Sequence, residues 1–221
     1  MAWCQGSGGG GGAETPLPSR GGQRSHLCGD SRRGINHDGK TNGITAPNGV
    51  VQAQLYRSVY DQYGIHPESL SYVVTHGTGT RLGDPVEING LRDAFRSYTD
   101  KEGFCAITST KTNFGHTFAA SGLVSLISMV QAMRHETIPA SLHCEQENRY
   151  IQWKNSPFYV NKTNREWKDS AGTPPGAVSA FGMSGTNVHL VVESYPKEVQ
   201  ATKNRRFLIT CWPCRRRPKR P

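Results

Sequence analysis

The stretch Lys111-Thr-Asn-Phe-Gly-His116, running into Phe118-Ala-Ala-Ser-Gly122, places a lysine and a histidine five positions apart on a glycine-containing turn. Beyond it, Leu123, Leu126, Ile127 and Val130 recur at three-to-four spacing, which predicts a helix that buries that face. Two ionisable groups just ahead of a helix N-terminus, where free N–H groups and the helix dipole favour negative charge, suit recognition of an anion or a developing oxyanion. Two further glycine-containing stretches stand beside it: His76-Gly-Thr-Gly-Thr80 and Gly182-Met-Ser-Gly-Thr-Asn187. Each has a plainer reading when taken singly. A Lys and a His in a polar turn are commonly solvated, and a histidine after a strand commonly satisfies a turn. The Gly-Thr-Gly-Thr turn lacks the Gly-Lys-Ser/Thr ending of a phosphate loop.

The elements that must position these residues alternate between strand and helix. After Pro47-Asn48-Gly49, apolar Val51, Leu55 and Val59 recur every four positions, predicting a helix over 49–63 that ends near Gly64. Leu70 to Thr75 is a short apolar run that empties into His76. In Asp84-Pro-Val-Glu87 the Asp reads as N-cap, Pro as first helical residue and Glu as third, opening a helix over about 85–98. On that reading Asp84 and Glu87 are accounted for by capping. Phe104 to Thr108 is a second short strand, delivering the Lys111–His116 turn. Gly176 to Phe181 and Val188 to Glu193 read as strands flanking the third glycine-containing turn. All three turns follow strand ends, where open α/β folds place their sites.

Composition sets further bounds. The 221 residues carry a formal charge of +9, but residues 1–34 hold +2 of it, residues 201–221 hold +8, and the stretch between is −1. A basic charge confined to the ends argues against a nucleic-acid-binding domain; binding through the tail alone would show steep salt dependence and vanish on deleting 201–221. Mean hydropathy is −0.59, and no apolar run reaches the roughly 18 residues needed to cross a bilayer. Six cysteines, Cys4, Cys28, Cys105, Cys144, Cys211 and Cys214, show no disulfide framework and read as reduced thiols. The Cys211–Cys214 spacing lacks the second pair or βαβ context of a metal or redox motif. Three segments follow: 1–34, irregular; 35–195, ordered α/β; and 196–221, a basic tail or linker. Both ends have the composition of disorder.

Three motifs in order, His76-Gly-Thr-Gly-Thr80 with Leu82-Gly-Asp-Pro-Val-Glu87, then Lys111-Thr-Asn-Phe-Gly-His116, then Phe181-Gly-Met-Ser-Gly-Thr-Asn187, resemble the β-ketoacyl synthase domain of modular polyketide synthases. Asn36-His-Asp-Gly39, continuing to Asn48, extends the resemblance. Gly115-His-Thr-Phe-Ala-Ala-Ser-Gly122, with Phe118 where many relatives have Glu, resembles synthases served by separate acyltransferases.

The resemblance implies the C-terminal half of a thiolase-like fold, a mixed sheet flanked by helices, in a cytosolic homodimer. It also implies an activity: decarboxylative Claisen condensation of an acyl thioester, held on a Cys, with malonyl on an acyl carrier protein. No bound cofactor is implied, since substrates ride on the carrier's phosphopantetheine; nor is any metal, nucleic acid or membrane partner. By motif position His76 and His116 would donate N–H groups to the developing enolate, where stabilising the transition state more than the ground state accelerates the step. Lys111 would hold His116 and its surroundings. Thr78 and Thr80 would contact the pantetheine arm, with Asn113, Phe181, Met183 and Gly185 as further substrate contacts. Among these, Phe181 would gate access and the N–H near Met183 would serve the acyl-Cys oxyanion.

The resemblance also exposes a gap. The family's nucleophile is a Cys followed by serines at a strand-to-helix turn ahead of the first histidine. No cysteine here has that context, and Cys105 and Cys144 lie beyond His76. The chain is therefore expected to be inactive alone, to leave an apolar face meant for an N-terminal half, and to act otherwise only as a docking remnant for a carrier protein or a complementing half. The ends fit DNA read in a shifted frame. Codons for Gly12–Arg20 and Thr210–Lys219 can be chosen so that a one-base shift gives runs typical of the family upstream of Asn-His-Asp-Gly and in the linker after the domain.

Overall fold

The computed structural model describes residues 32–41, 43, 45–168 and 172–194. The N-terminal segment expected to be irregular, up to residue 31, the basic tail with Cys211 and Cys214, and both stretches read as frame-shifted lie outside the described residues. Along the chain the elements are β1 (Arg32–His37), α1 (Gly49–Tyr63), β2 (Tyr72–Val74), α2 (Gly83–Phe95), β3 (Cys105–Thr108), α3 (Lys111–Phe114), α4 (Ser121–Arg134), β4 (Thr137–Ile138), β5 (Phe158–Val160), β6 (Arg165–Glu166), β7 (Gly176–Phe181) and β8 (Thr186–Val192). Six strands form one mixed sheet in the order β1-β8-β7-β2-β3-β5. β7, β2, β3 and β5 run parallel, while β8 and β1 add an antiparallel edge. β4 and β6 make a separate antiparallel pair.

The central strands are buried on both faces, and their alternation divides the core in two. Val73, Cys105, Ile107, Ala177 and Val191 pack on one side with Leu55, Tyr56, Val59 and Tyr60 of α1 and Ile88, Leu91, Ala94 and Phe95 of α2. Tyr72, Val74, Ala106, Val178 and Val192 pack on the other with Met129, Ala132 and Met133 of α4. On the α1 side His189 is fully buried between Tyr60 Oη and Ser179 Oγ, at 3.2 and 3.1 Å, with the Tyr56 ring edge-on. Burial pushes its imidazole down to about 3, so it is a neutral core histidine.

α1 forms as its sequence dictates. The Asn48 side chain accepts the Val51 N–H at the start, and Gly64 closes the helix at φ 62°. Four expectations need correction. β1 begins at Arg32, three residues inside the segment expected to be irregular. It is an edge strand whose residues alternate between half-buried and exposed, so no apolar run announces it. α2 begins at Gly83, two residues early: its N-cap is Leu82, which makes no side-chain capping bond, Asp84 lies within the first turn, and the Thr80 hydroxyl accepts the Gly83 N–H at 3.0 Å. Lys111–Phe114 is a short helix rather than a turn. Most consequentially, α4 is rotated from the expected orientation, so that of the predicted stripe Leu126 packs on the core and Val130 is half-buried, while Leu123 and Ile127 turn outward. Ser121, Ser125, Met129, Ala132 and Met133 face the sheet, whereas Leu123 is 47% and Ile127 60% exposed. Small residues decide this orientation: Gly122 lies against Ala180, and Ser125 Oγ bonds Thr110 Oγ1 at 3.1 Å. Among the described residues no helix is long and apolar enough to cross a membrane.

Candidate active site

β7, β2 and β3 are parallel neighbours, so their C-terminal ends reach one edge of the sheet together. His76 lies just beyond central β2, α3 with Lys111 lies beyond β3, and Phe181 ends β7. The His76 and His116 ring centroids are 5.8 Å apart at 82°, and the Phe181 ring lies 5.5 Å from that of His76. Three motifs distant in sequence thus converge on His76.

The segment carrying His76 is held on several sides. Buried Glu87 (3% exposed) on α2 accepts the His76 N–H at 2.7 Å and the Gly77 N–H at 2.8 Å, one on each carboxyl oxygen. Lys111 Nζ donates to the His76 carbonyl oxygen. The expected support by Lys111 of His116 and its surroundings takes the form of a hydrogen bond to the neighbouring His76 segment. Gly77 has φ +43°, and a Cβ there would lie 2.7 Å from that of Ser109. Ser109 Oγ donates to the Gly77 carbonyl at 2.9 Å. Only glycine satisfies both that backbone angle and that approach.

Charges follow from this packing. Burial first, then electrostatic repulsion from the neighbouring Lys111 and His116, lower His76 to about 4, so it is neutral near pH 7. Burial raises Glu87 to about 7 despite its two N–H partners. It also raises Asp84 and lowers Lys111, the latter opposed by Glu87 and Asp84. His116 Nδ1 accepts the Phe118 N–H at 3.1 Å, so in the neutral ring the proton sits on Nε2, which is left as a donor. Phe118, at φ +48°, stacks on His116 with centroids 5.2 Å apart and is 81% exposed.

The remaining expected contacts divide. Thr78 and Thr80 lie on the loop after His76, their hydroxyls 3.2 Å apart. Asn113 is exposed, its side-chain oxygen accepting from Thr112 at 3.1 Å. Met183 is 81% exposed at the tip of the β7–β8 hairpin. Gly182 and Gly185 spend their N–H groups within that hairpin, and no acceptor for the Met183 N–H occurs among the described residues. Gly185, at φ +92°, is buried against His37 and Asp38, so it shapes the turn from beneath. There Asn187 Nδ2 donates to Asp38 Oδ1 at 2.7 Å and to Asn36 Oδ1 at 3.2 Å, and the Asp38 N–H bonds the Gly185 carbonyl at 2.8 Å.

Sequence reasoning missed Glu87 and Asp84, which capping seemed to explain. Asp84 instead reaches back to the Gly79 N–H at 3.0 Å. A signal for Glu87 was present: it shares a helical face with Ile88, Leu91 and Ala94, so its carboxyl had to be buried. Asn36, Asp38 and Asn187 stood inside recognised motifs, but nothing local indicated that they would meet.

The chain resembles known proteins in sequence and in fold. Residues 31–145 match the family described as β-ketoacyl synthase, C-terminal domain. Residues 148–217 match the ketoacyl-synthetase C-terminal extension, which runs into the segment expected to be a tail or linker. The chain is 54% identical over 161 residues to polyketide synthase ThaG of Burkholderia thailandensis, covering 73% of this chain and 3% of that protein. It is 49% identical over 173 residues to polyketide synthase PksM of Bacillus subtilis, covering 78% and 4%. A solved ketosynthase from module 6 of the bacillaene synthase of Bacillus subtilis 168 superimposes with a TM-score of 0.72 at 47% identity, over 75% of this chain and 30% of that one. The chain therefore spans a few per cent of these curated relatives and under a third of the solved ketosynthase.

Proposed function

The chain belongs to the β-ketoacyl synthase family, as the C-terminal part of a polyketide-synthase ketosynthase domain, and from that premise we propose that it supplies the two histidines of a chain-elongating condensation. The observation that carries the proposal is the His76–His116 pair: rings 5.8 Å apart, His76 held neutral, and His116 with its Nε2–H free to donate.

In this reading malonyl on an acyl carrier protein enters with its thioester oxygen between the two rings. As the carboxylate leaves as carbon dioxide, the electron pair of the breaking C–C bond moves onto that oxygen, and the N–H donors stabilise the enolate. Donors fixed in a partly dry site do so without reorganising. The enolate carbon attacks an acyl thioester, and the Cys thiolate departs. That Cys comes from sequence outside these 221 residues, so the chain alone forms no acyl-enzyme. The exposed Met183 N–H is suited to the oxyanion of the acyl-Cys, Phe181 to gating, and Thr78, Thr80 and Asn113 to the pantetheine arm. Lys111 acts through the His76 carbonyl, as a positioning residue. Phe118 beside His116 favours the polyketide synthases served by separate acyltransferases. A cytosolic homodimer, and the domain expected over 35–195, extended at its start to β1 at Arg32 and at its end by the family match to 217, belong to the same reading.

A second reading rests on the missing Cys and the exposed Leu123 and Ile127 of α4: a non-catalytic remnant that docks on a carrier protein or a complementing half. One experiment separates the two. The chain is co-produced with an N-terminal ketosynthase half that carries the Cys, and decarboxylation of malonyl carrier protein is followed. The catalytic reading expects turnover that falls about 10²–10³-fold in His76→Asn or His116→Asn, the range for losing one oxyanion donor. A folded but inactive complex, or turnover indifferent to both substitutions, would favour the remnant.

A further inference from the structure

The loop 149–155 is fastened to the outer helical layer by arginines. Arg81 donates to Tyr150 Oη at 2.5 Å, Arg92 to Gln152 Oε1 at 2.7 Å, and Arg96 to the Asn155 carbonyl. The inner two are balanced: Arg92 pairs with Asp93 at 3.1 Å, and Arg96 lies near Asp100 and Glu102. The outer end is not. Tyr150, 45% exposed, receives two guanidiniums at once. Arg81 lies 5.3 Å and Arg149 5.2 Å from the ring centroid, and Arg149 also reaches Oη at 3.3 Å. Among the described residues neither has a carboxylate within ion-pairing distance.

Two cations gathered on one half-exposed ring repel each other. The aromatic face and shared hydroxyl offset that only in part, since cation–π contacts at exposed sites contribute about 0.5–1 kcal/mol. An anion arriving between them relieves the repulsion. The pair also sits next to the proposed arm-binding loop, because Arg81 directly follows Thr80. A carrier whose arm passes Thr78 and Thr80 towards His76 must rest its body close to that loop.

We propose that Arg81 and Arg149, presented on Tyr150, form a docking surface for acidic side chains of the acyl carrier protein. This rests on the ketosynthase reading and goes beyond it by naming where the partner sits. Unpaired rim charges act chiefly on encounter rate and orientation, so binding at this surface weakens as salt is raised.

The test measures affinity of the full chain for an acyl carrier protein by fluorescence anisotropy, with the carrier in its apo form and in its phosphopantetheine-bearing form. Arg149→Glu and the pair Arg81→Glu/Arg149→Glu are compared with Arg165→Glu. The control breaks a similar contact, Arg165 over Tyr159 at 5.2 Å, whose tyrosine packs with the α4-side core. The proposal expects the pair to lose at least about tenfold for both carrier forms, Arg149→Glu to lose part of that, and Arg165→Glu to change affinity less than about twofold. Equal losses in the pair and the control overturn it. A loss confined to the arm-bearing carrier overturns it in favour of the arm's phosphate. Thermal melts guard against a merely structural effect: if the pair unfolds the chain, Arg149→Glu and Arg81→Gln decide by the same criterion. Wild-type binding that ignores these residues removes the surface and leaves the ketosynthase reading standing. No wild-type binding, together with no histidine-dependent turnover in the complemented complex, removes both.

Discussion

Glu87→Gln separates the electrostatics of the site from its shape. Glutamine has nearly the volume of a protonated carboxyl and keeps a carbonyl oxygen for one of the two N–H donors, His76 or Gly77, now bound at 2.7 and 2.8 Å. What it cannot do is ionise. The carboxyl is raised from its ordinary 4.5 to about 7, chiefly by burial. A folded value above the unfolded one means that the native state holds the proton more tightly. The stabilisation is then fully present below 4.5 and is lost as pH rises through about 7. At about 1.4 kcal/mol per tenfold change, the displacement amounts to about 3 kcal/mol. Glu87 is too deeply buried for solvent screening to reduce this much.

The two proteins should therefore have similar stability near pH 4.5, and the variant should gain about 3 kcal/mol on the wild type by pH 8.5. Urea unfolding of both at intervals between those limits measures it. Other titrating groups, His76 included, are common to both chains and largely cancel in the difference. A gap constant to within about 1 kcal/mol across the range would show that Glu87 is ionised throughout, and the burial argument would fail.

Two further outcomes follow from the geometry. Gly77→Ala should cost at least about 2 kcal/mol, since it forces a left-handed φ on alanine and drives a methyl into Ser109; a thermal midpoint within about 2 °C of wild type would contradict this. The pair Leu123→Lys/Ile127→Lys should leave the stability of the isolated chain within about 1 kcal/mol but reduce its self-association by light scattering. The same pair should abolish assembly with an N-terminal ketosynthase half, and unimpaired assembly would show that α4 is not the covered face.

Features fixed by short-range chemistry were the most legible. α1 starts at Asn48 and ends at Gly64 because both caps are local decisions, and β7 matches its apolar run from Gly176 to Phe181. The three glycine-containing turns were visible as strand exits. Their convergence follows from β7, β2 and β3 being adjacent and parallel, which no local pattern states. Glu87 was hidden by competing explanations: three residues after Asp84 it satisfies a capping rule, yet one helical face away from solvent it satisfies a burial rule, and burial prevailed. β1 was hidden because an edge strand needs only one partner and tolerates Arg32 and Arg33.

α4 is the more informative failure. Periodicity locates an apolar stripe but assumes that the largest side chains face the nearest core. Here the sheet is approached through Ser121, Gly122 and Ser125, which let the helix lie close to β7, while Leu123 and Ile127 point away. In a two-layer domain that choice wastes the transfer free energy of two large aliphatic side chains, of the order of 1.5–3 kcal/mol each when fully buried. It becomes favourable if the helix has a layer on each side, small residues towards one and large residues towards the other. The 75% of the chain that aligns with the solved ketosynthase covers only 30% of it. On this argument α4 is an inner helix of the thiolase-like assembly. Under the function proposed above, its outward stripe of Leu123 and Ile127 is the face suited to packing of the half that carries the nucleophile.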